Sequence, residues 1–319
     1  MLRPKLLKKK GEKVDFFNLK PAELKAMRPA GLKEATAKDR VKLRTLKDLR
    51  IANKDLLIVP DRLDIKELIR PEIFWCKLYC PPRLRVRKNQ KDLTAVEWLR
   101  FIGAVEALAD PSAPSPNFDD FVDVHHKAMT DHAGHAWGAH TMAGHDGRNF
   151  LTWHREYLAK LEARLRHINP LVTIPYWNWV DDRAIPAQLN DPADIASWGI
   201  TRGASFNAAN LPDAVWINTV MGTGVSPANF TAFSTALEAP HGRVHNVVGG
   251  TMATTRSPAD PLFWLHHAFV DKLWADWQAA NPGAAFNPPN GTETLQEPPI
   301  FTRKVSQVLN IQALGYVYA

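Results

Sequence analysis

Cysteine is nearly absent: Cys76 and Cys80 are the only two in a chain of 319 residues. A single bridge cannot staple a chain of this size, so the core must hold by burial alone. Long apolar runs are missing too. No stretch approaches the roughly 18 apolar residues that mark a membrane-spanning helix. The N-terminus, MLRPKLLKKKGEKVD, lacks the apolar core of a signal peptide and a twin-arginine pair, so a cytoplasmic location is the expectation. The net charge of +7 comes without a nucleic-acid-binding motif or interleaved aromatics, and no nucleic-acid partner is expected.

What is present is unevenly spread. Residues 1–95 hold 26 Lys+Arg against 12 Asp+Glu, whereas the whole chain holds 40 against 33. A basic N-terminal segment therefore precedes a mildly acidic body. Proline at 21, 29, 60, 71, 81 and 82 keeps long helices out of that segment. Residues 1–86 read as an extension that wraps or covers the rest. Cys76 and Cys80, four apart, allow three readings: buried thiols, a disulfide, or soft ligands for Cu(I). Histidine is distributed the other way, with all 12 between His125 and His267. The chemistry belongs to the body.

Thr94 and Glu97 bracket the start of an apolar period running to Leu108, which predicts a helix with a capping box. Helical periods also cover Asp119–Met129, Phe150–Ile168, 230–248 and 258–279. Residues 130–149, rich in His, Gly and Ala, read as a long functional loop, and the Pro/Asp/Asn-rich stretch that runs to about 228 reads as another of the long loops between helices. Residues 305–317 are expected to include a short strand or extended piece. The expected fold class is mainly α: a four-helix bundle core around a metal site, with long loops and the basic extension.

His241 and His245 sit four apart, so both imidazoles leave one helix face and can grip one ion. A third imidazole from the helix carrying Phe263-Trp264-Leu265-His266-His267 would complete a three-nitrogen site. Three imidazoles alone suit copper, zinc or iron. A second set, His125, His145 and His154, comes from the earlier helices and the loop between them. Two such sites face to face carry no compensating carboxylate, which favours a metal cycling between +1 and +2, namely copper.

At these positions the chain resembles a known family. GHDGRNFLTWHREYL is similar to the first-copper signature of tyrosinases and other type-3 copper proteins. HGRVHNVVGGTMATTRSPADPLFWLHHAFVDKLWADWQ resembles the second-copper signature, most like that of bacterial tyrosinases. FDDFVDVHHKAM resembles the helix bearing the first ligand, and IPYWNWVDD the family's aromatic corner, with Asn178 where Asp is usual. Tyr316 and Tyr318 resemble the tyrosine motif that closes the family's core domain against an arginine, here Arg87. The resemblance covers about residues 87–319 and implies a copper domain there.

Carried over by position, the resemblance implies two copper ions. His125, His145 and His154 would hold the first, and His241, His245 and His267 the second, with His266 beside it. It also implies tyrosinase or polyphenol oxidase chemistry: ortho-hydroxylation of monophenols and oxidation of o-diphenols to o-quinones, as in melanin formation. The implied partners are a phenolic small molecule and O2, with a copper chaperone as a candidate supplier. Asp260 and Asp271 are candidate acceptors for the second ring nitrogens, although Asp260 reads equally well as a helix cap.

Glu238 resembles the family glutamate that holds a water able to deprotonate the phenol, whose own pKa is near 10. Gly242 departs from the pattern: bacterial tyrosinases commonly place Asn there, and its amide helps orient that water. The glycine weighs more against monophenol hydroxylation than against diphenol oxidation. Thr255 resembles the pocket gate and is small enough to leave the entrance open. Ala143 stands where some relatives carry a cysteine cross-linked to histidine, a link alanine cannot form. Two alternatives stay open: a catechol or o-aminophenol oxidase with little monophenolase activity, and a haemocyanin-like O2 carrier. No C-terminal shielding domain is expected after Ala319, which leaves the basic extension as the candidate cover.

Overall fold

Four long helices carry the histidines in the computed structural model, which describes residues 84–130, 149–223, 229–284, 286, 295 and 303–319. The chain divides into two compact units, Met1–Arg83 and Leu84–Ala319, and every described residue belongs to the second. Cys76 and Cys80 therefore lie outside the described residues, as do His132, His135, His140, Ala143 and His145. In chain order the elements are β1 (Arg85–Arg87), α1 (Ala95–Ala109), α2 (Phe118–Thr130), α3 (Phe150–Ile168), α4 (Pro192–Ser197), α5 (Ala214–Gly222), α6 (Phe230–Val248), α7 (Pro261–Ala280) and β2 (Tyr316–Tyr318), with short 3-10 turns between.

The local signals act as the sequence requires. Thr94 Oγ1 accepts the Glu97 N–H, and the Glu97 carboxylate accepts the Thr94 N–H. This capping box starts α1. Its buried residues Trp98, Phe101, Val105 and Leu108 recur at helical spacing and pack on α3. Helix α3 is the centre of the bundle, in contact with α1, α6 and α7. It is buried on nearly every side, Arg155, Glu156 and Glu162 included, as a helix enclosed by others must be. Helix α7 begins at Pro261 rather than 258, because Ser257–Ala259 close in a 3-10 turn and Asp260 caps the Leu262 N–H. Proline at the first helical position costs no hydrogen bond.

Helices α4 and α5 and strand β1 have no counterpart in the sequence reading, whereas β2 overlaps the end of the stretch read as a short strand or extended piece. Helix α5 lies inside the stretch read as loop and is capped by Asp213. Strands β1 and β2 pair in parallel, Arg85 with Tyr316 and Arg87 with Tyr318. Arg85 and Val86, ahead of the expected boundary at 87, are thus already built into this unit.

The arginine–tyrosine meeting occurs as expected and is the hub of a buried charge network. The Arg87 guanidinium lies 3.7 Å from the Tyr316 ring centroid and donates to Glu162, 3.1 Å. The Tyr316 and Tyr318 hydroxyls both donate to Asp271 Oδ2 at 2.6 Å. Arg155 Nε donates to Asp271 Oδ1 at 2.5 Å. Burial pushes the Glu162 and Asp271 carboxyls up, but the facing guanidinium groups and their hydrogen bonds outweigh it and hold both below the usual carboxylate range. Both chain ends of the unit are thereby locked onto α3 and α7.

Candidate metal centre

The helices bring the imidazoles together inside the bundle. His125 projects from α2, His154 from α3, His241 and His245 from α6, and His267 from α7. Four of these are buried, and His245 is partly so. On α6, His241 Nε2 and His245 Nε2 lie 3.3 and 3.2 Å from His267 Nε2. Two bonds of about 2.0 Å at a tetrahedral angle span an N–N edge of about 3.3 Å, so both distances suit nitrogens that share one metal ion, and the cluster as a whole, His266 included, lies within 4.8 Å.

The opposite ring nitrogens settle which way the lone pairs point. His125 Nδ1 is 2.7 Å from the Thr255 carbonyl, His154 Nδ1 2.7 Å from the Phe150 carbonyl, and His245 Nδ1 2.6 Å from the Met252 carbonyl. A carbonyl only accepts, so each Nδ1 carries the proton and each Nε2 the lone pair that a metal uses. Burial keeps these rings uncharged. It pulls His125 down to about 3 and His245 to about 4, and holds His154 and His267 well below the ordinary histidine value. Neutral imidazoles, aimed and dry, are what metal binding demands of histidine.

The two sets share one chamber. The His154 and His267 rings stack with centroids 4.3 Å apart and an interplanar angle of 12°, and His125 lies 5.9 Å from His154. Phe263, fully buried, stands 4.1 Å from the His267 ring and 5.1 Å from that of His125. Phe150 lies 4.7 Å from His241. These rings exclude water and restrict the imidazoles to few rotamers.

Some sequence expectations place differently. Asp260 and Asp271 do not hold the histidine rings. Asp260 caps α7 and pairs with Arg202 at 2.8 and 2.9 Å, and Asp271 belongs to the buried network. Backbone carbonyls take the orienting role, and carbonyls leave no mark in a sequence. Thr255, partly buried, contributes its carbonyl to His125 and has its hydroxyl 2.7 Å from His126 Nδ1. Glu238 is partly buried on α6, one turn before the His241–Gly242 pair. Space beside Gly242 is open: a Cβ there would meet nothing within 4 Å. His145 lies outside the described residues.

Comparison with known proteins points to one family. The family model for the common central domain of tyrosinase matches residues 115–210 and 199–280. A tyrosinase of Streptomyces glaucescens is 35% identical over 249 residues, 66% of this chain and 88% of the relative. A grixazone synthase of Streptomyces griseus is 27% identical over 268 residues, covering 62% and 86%. The solved polyphenol oxidase of Grenache grape (Vitis vinifera) superposes with a TM-score of 0.58 at 19% identity, over 75% of this chain and 85% of the other. That likeness is one of fold.

Proposed function

The chain belongs to the tyrosinase family of copper enzymes, and on that footing we propose that it binds two copper ions and oxidises phenols with O2. His241, His245 and His267 would hold one copper. His125 and His154 would hold the other, with His145 from outside the described residues as the third ligand the sequence reading names. The approach of His241 Nε2 and His245 Nε2 to 3.2–3.3 Å from His267 Nε2 is the observation that carries this reading. Fully imidazole ligation without a carboxylate suits copper better than zinc.

When bound, the copper pair supplies the two-electron chemistry with O2. The chain supplies the rest. Backbone carbonyls of Thr255, Phe150 and Met252 fix the ring orientations in advance. Phe263 and Phe150 keep the chamber dry. A phenol must lose its hydroxyl proton, and we assign Glu238, one helical turn from Gly242 on α6, to take it through an ordered water. Residue 242 offers no amide to that water. We therefore read o-diphenol oxidation to o-quinone as the principal activity, with ortho-hydroxylation of monophenols at the same site and slower. The second reading, a catechol or o-aminophenol oxidase without useful monophenolase activity, is favoured by that same glycine.

Copper reconstitution followed by parallel turnover of a tyrosine-like monophenol and its catechol tests the proposal. Quinone from both, faster from the catechol, is the expected result. Quinone from the catechol alone supports the second reading. Reversible O2 binding without turnover would overturn both in favour of a carrier.

A further inference from the structure

The three-imidazole site has a fourth histidine against it. His266 is fully buried, and a ring nitrogen of it lies with those of His241, His245 and His267 in a cluster whose atoms are all within 4.8 Å of one another. Its ring lies parallel to that of His241, with centroids 5.2 Å apart at 9°. Were it a ligand, the site would change character. Three protein nitrogens leave a position open for a small molecule, whereas four complete a tetrahedron and close it.

The contact that prevents this comes from the aromatic corner. Trp179 Nε1 lies 3.1 Å from His266 Nδ1. An indole nitrogen can only donate, so Nδ1 must hold the lone pair and the single proton of the neutral ring must sit on Nε2. Both nitrogens of His266 are then committed: one accepts the indole N–H, and the other carries a proton where a metal needs a lone pair. The neighbouring ligands are sorted by the opposite contact, since His125, His154 and His245 each donate from Nδ1 to a carbonyl. For these rings and for His266, whether the outside partner donates or accepts thus decides which nitrogen presents a lone pair. The corner is itself anchored. The Trp177 N–H donates to the Leu265 carbonyl at 3.0 Å, and the Trp179 ring meets Phe269 edge-on at 5.0 Å.

We propose that the Trp179 indole N–H holds His266 as a non-ligand and so keeps the His241–His245–His267 site at three nitrogens with one position open. Trp179 is a positioning residue acting through His266. The proposal rests on the copper reading above and deepens it.

The test uses the full chain loaded with Cu(I), with X-ray absorption reporting the nitrogen shell and carbon monoxide probing the open position. Trp179→Phe keeps a buried ring and deletes the N–H. It is expected to add a nitrogen neighbour at one copper and to weaken carbon monoxide binding at least about tenfold, the factor that a 1.4 kcal/mol bias toward the ligating tautomer produces. Adding His266→Phe to that variant should restore the parent shell and affinity, because no fourth imidazole is left. His266→Phe alone should match the parent in copper content and carbon monoxide affinity, and this arm stands even if Trp179→Phe does not fold. An unchanged shell and affinity in Trp179→Phe would overturn the proposal, as would loss of copper in His266→Phe. A parent chain that takes up no copper would instead refute the copper reading beneath it.

Discussion

Replacing Gly242 by asparagine is expected to raise monophenol turnover about tenfold and to leave diphenol turnover within about twofold. Residues 238 and 242 are four apart on α6, so an amide at 242 and the Glu238 carboxylate occupy one helix face and can grip the same water. The substitution meets no steric obstacle, since a Cβ at 242 finds no heavy atom within 4 Å. Asparagine is also a slightly better helix former than glycine, by roughly 0.3 kcal/mol, so the fold should not suffer. One added hydrogen bond to a water is worth about 1–1.5 kcal/mol, which converts to roughly five- to twelvefold in rate if it is made only as the proton leaves. Diphenols depend less on a precisely held base, because the catechol lacks the hydroxylation step. The assay is kcat/KM for a monophenol and for its catechol, measured on parent and Gly242→Asn at equal copper content. Equal change in both substrates, or none in either, would refute the assignment of residue 242 to water orientation. Adding Glu238→Gln to Gly242→Asn should abolish the gain, since the amide then has no carboxylate to serve.

Three further outcomes follow from the same structure. Arg87→Ala leaves Glu162 buried without its main partner, and breaking a buried pair from one side costs about 3–5 kcal/mol; a fall in Tm of roughly 10 °C is expected, and a change under about 2 °C would show the network to be idle. In metal-free protein, urea stability should drop as pH falls from about 6.5, because the buried histidines His125 and His245, at about 3 and about 4, take up protons only in the unfolded chain. Glu162 and Asp271, held below the carboxylate range, extend that loss below about pH 4; a flat profile from 8 to 5 would contradict the buried neutral imidazoles. Copper at about a hundredfold over its dissociation constant should stabilise the fold by about 2.7 kcal/mol per site, a chelator should reverse the shift, and His267→Ala should bind one fewer copper by elemental analysis.

Much of this was legible in the sequence wherever a side chain made the signal. The Thr94–Glu97 capping box, the limits of α3 and α6 and the four-residue spacing of His241 and His245 are local patterns, and each appears as read. The Arg87–Tyr316 contact joins residues far apart in sequence, and only the resemblance to a family pointed to it. Other features had no side-chain signal to find. Helix α5 is nine residues with few buried positions, inside a stretch whose Pro and Asn suggested loop. The parallel β1–β2 pair is three residues per strand, too short for any alternation to register. Asp260 and Asp271 were reasonable acceptors for imidazole N–H groups by type and position. Each was taken by an arginine instead, because a buried carboxylate is far more costly unpaired than an imidazole N–H that can reach a carbonyl.

That substitution of carbonyls for carboxylates bears on the chemistry. A carboxylate behind a ligating imidazole makes the ring more basic and favours the more highly charged metal. Here the orienting groups of His125, His154 and His245 are neutral carbonyls, and two of the acids nearby are cancelled, Asp260 by Arg202 at 2.8 Å and Asp271 by Arg155 at 2.5 Å. With neutral imidazole ligands in a buried chamber, the charge of the proposed copper pair would be offset only in part by the described residues. Coulomb attraction strengthens as the dielectric falls, so such a chamber draws an anion of the right shape far more strongly than the neutral molecule. On the proposed reading, a phenol that gives its proton to Glu238 would be such an anion. Arg202→Met should therefore weaken phenol binding as well as the cap of α7, by leaving unpaired the Asp260 carboxylate whose charge is felt at His245 and so lowering the positive potential that a phenolate would meet. A higher KM for phenols at unchanged copper content is the expected result, and an unchanged KM with full copper loading would show that the charge of Asp260 does not reach the substrate.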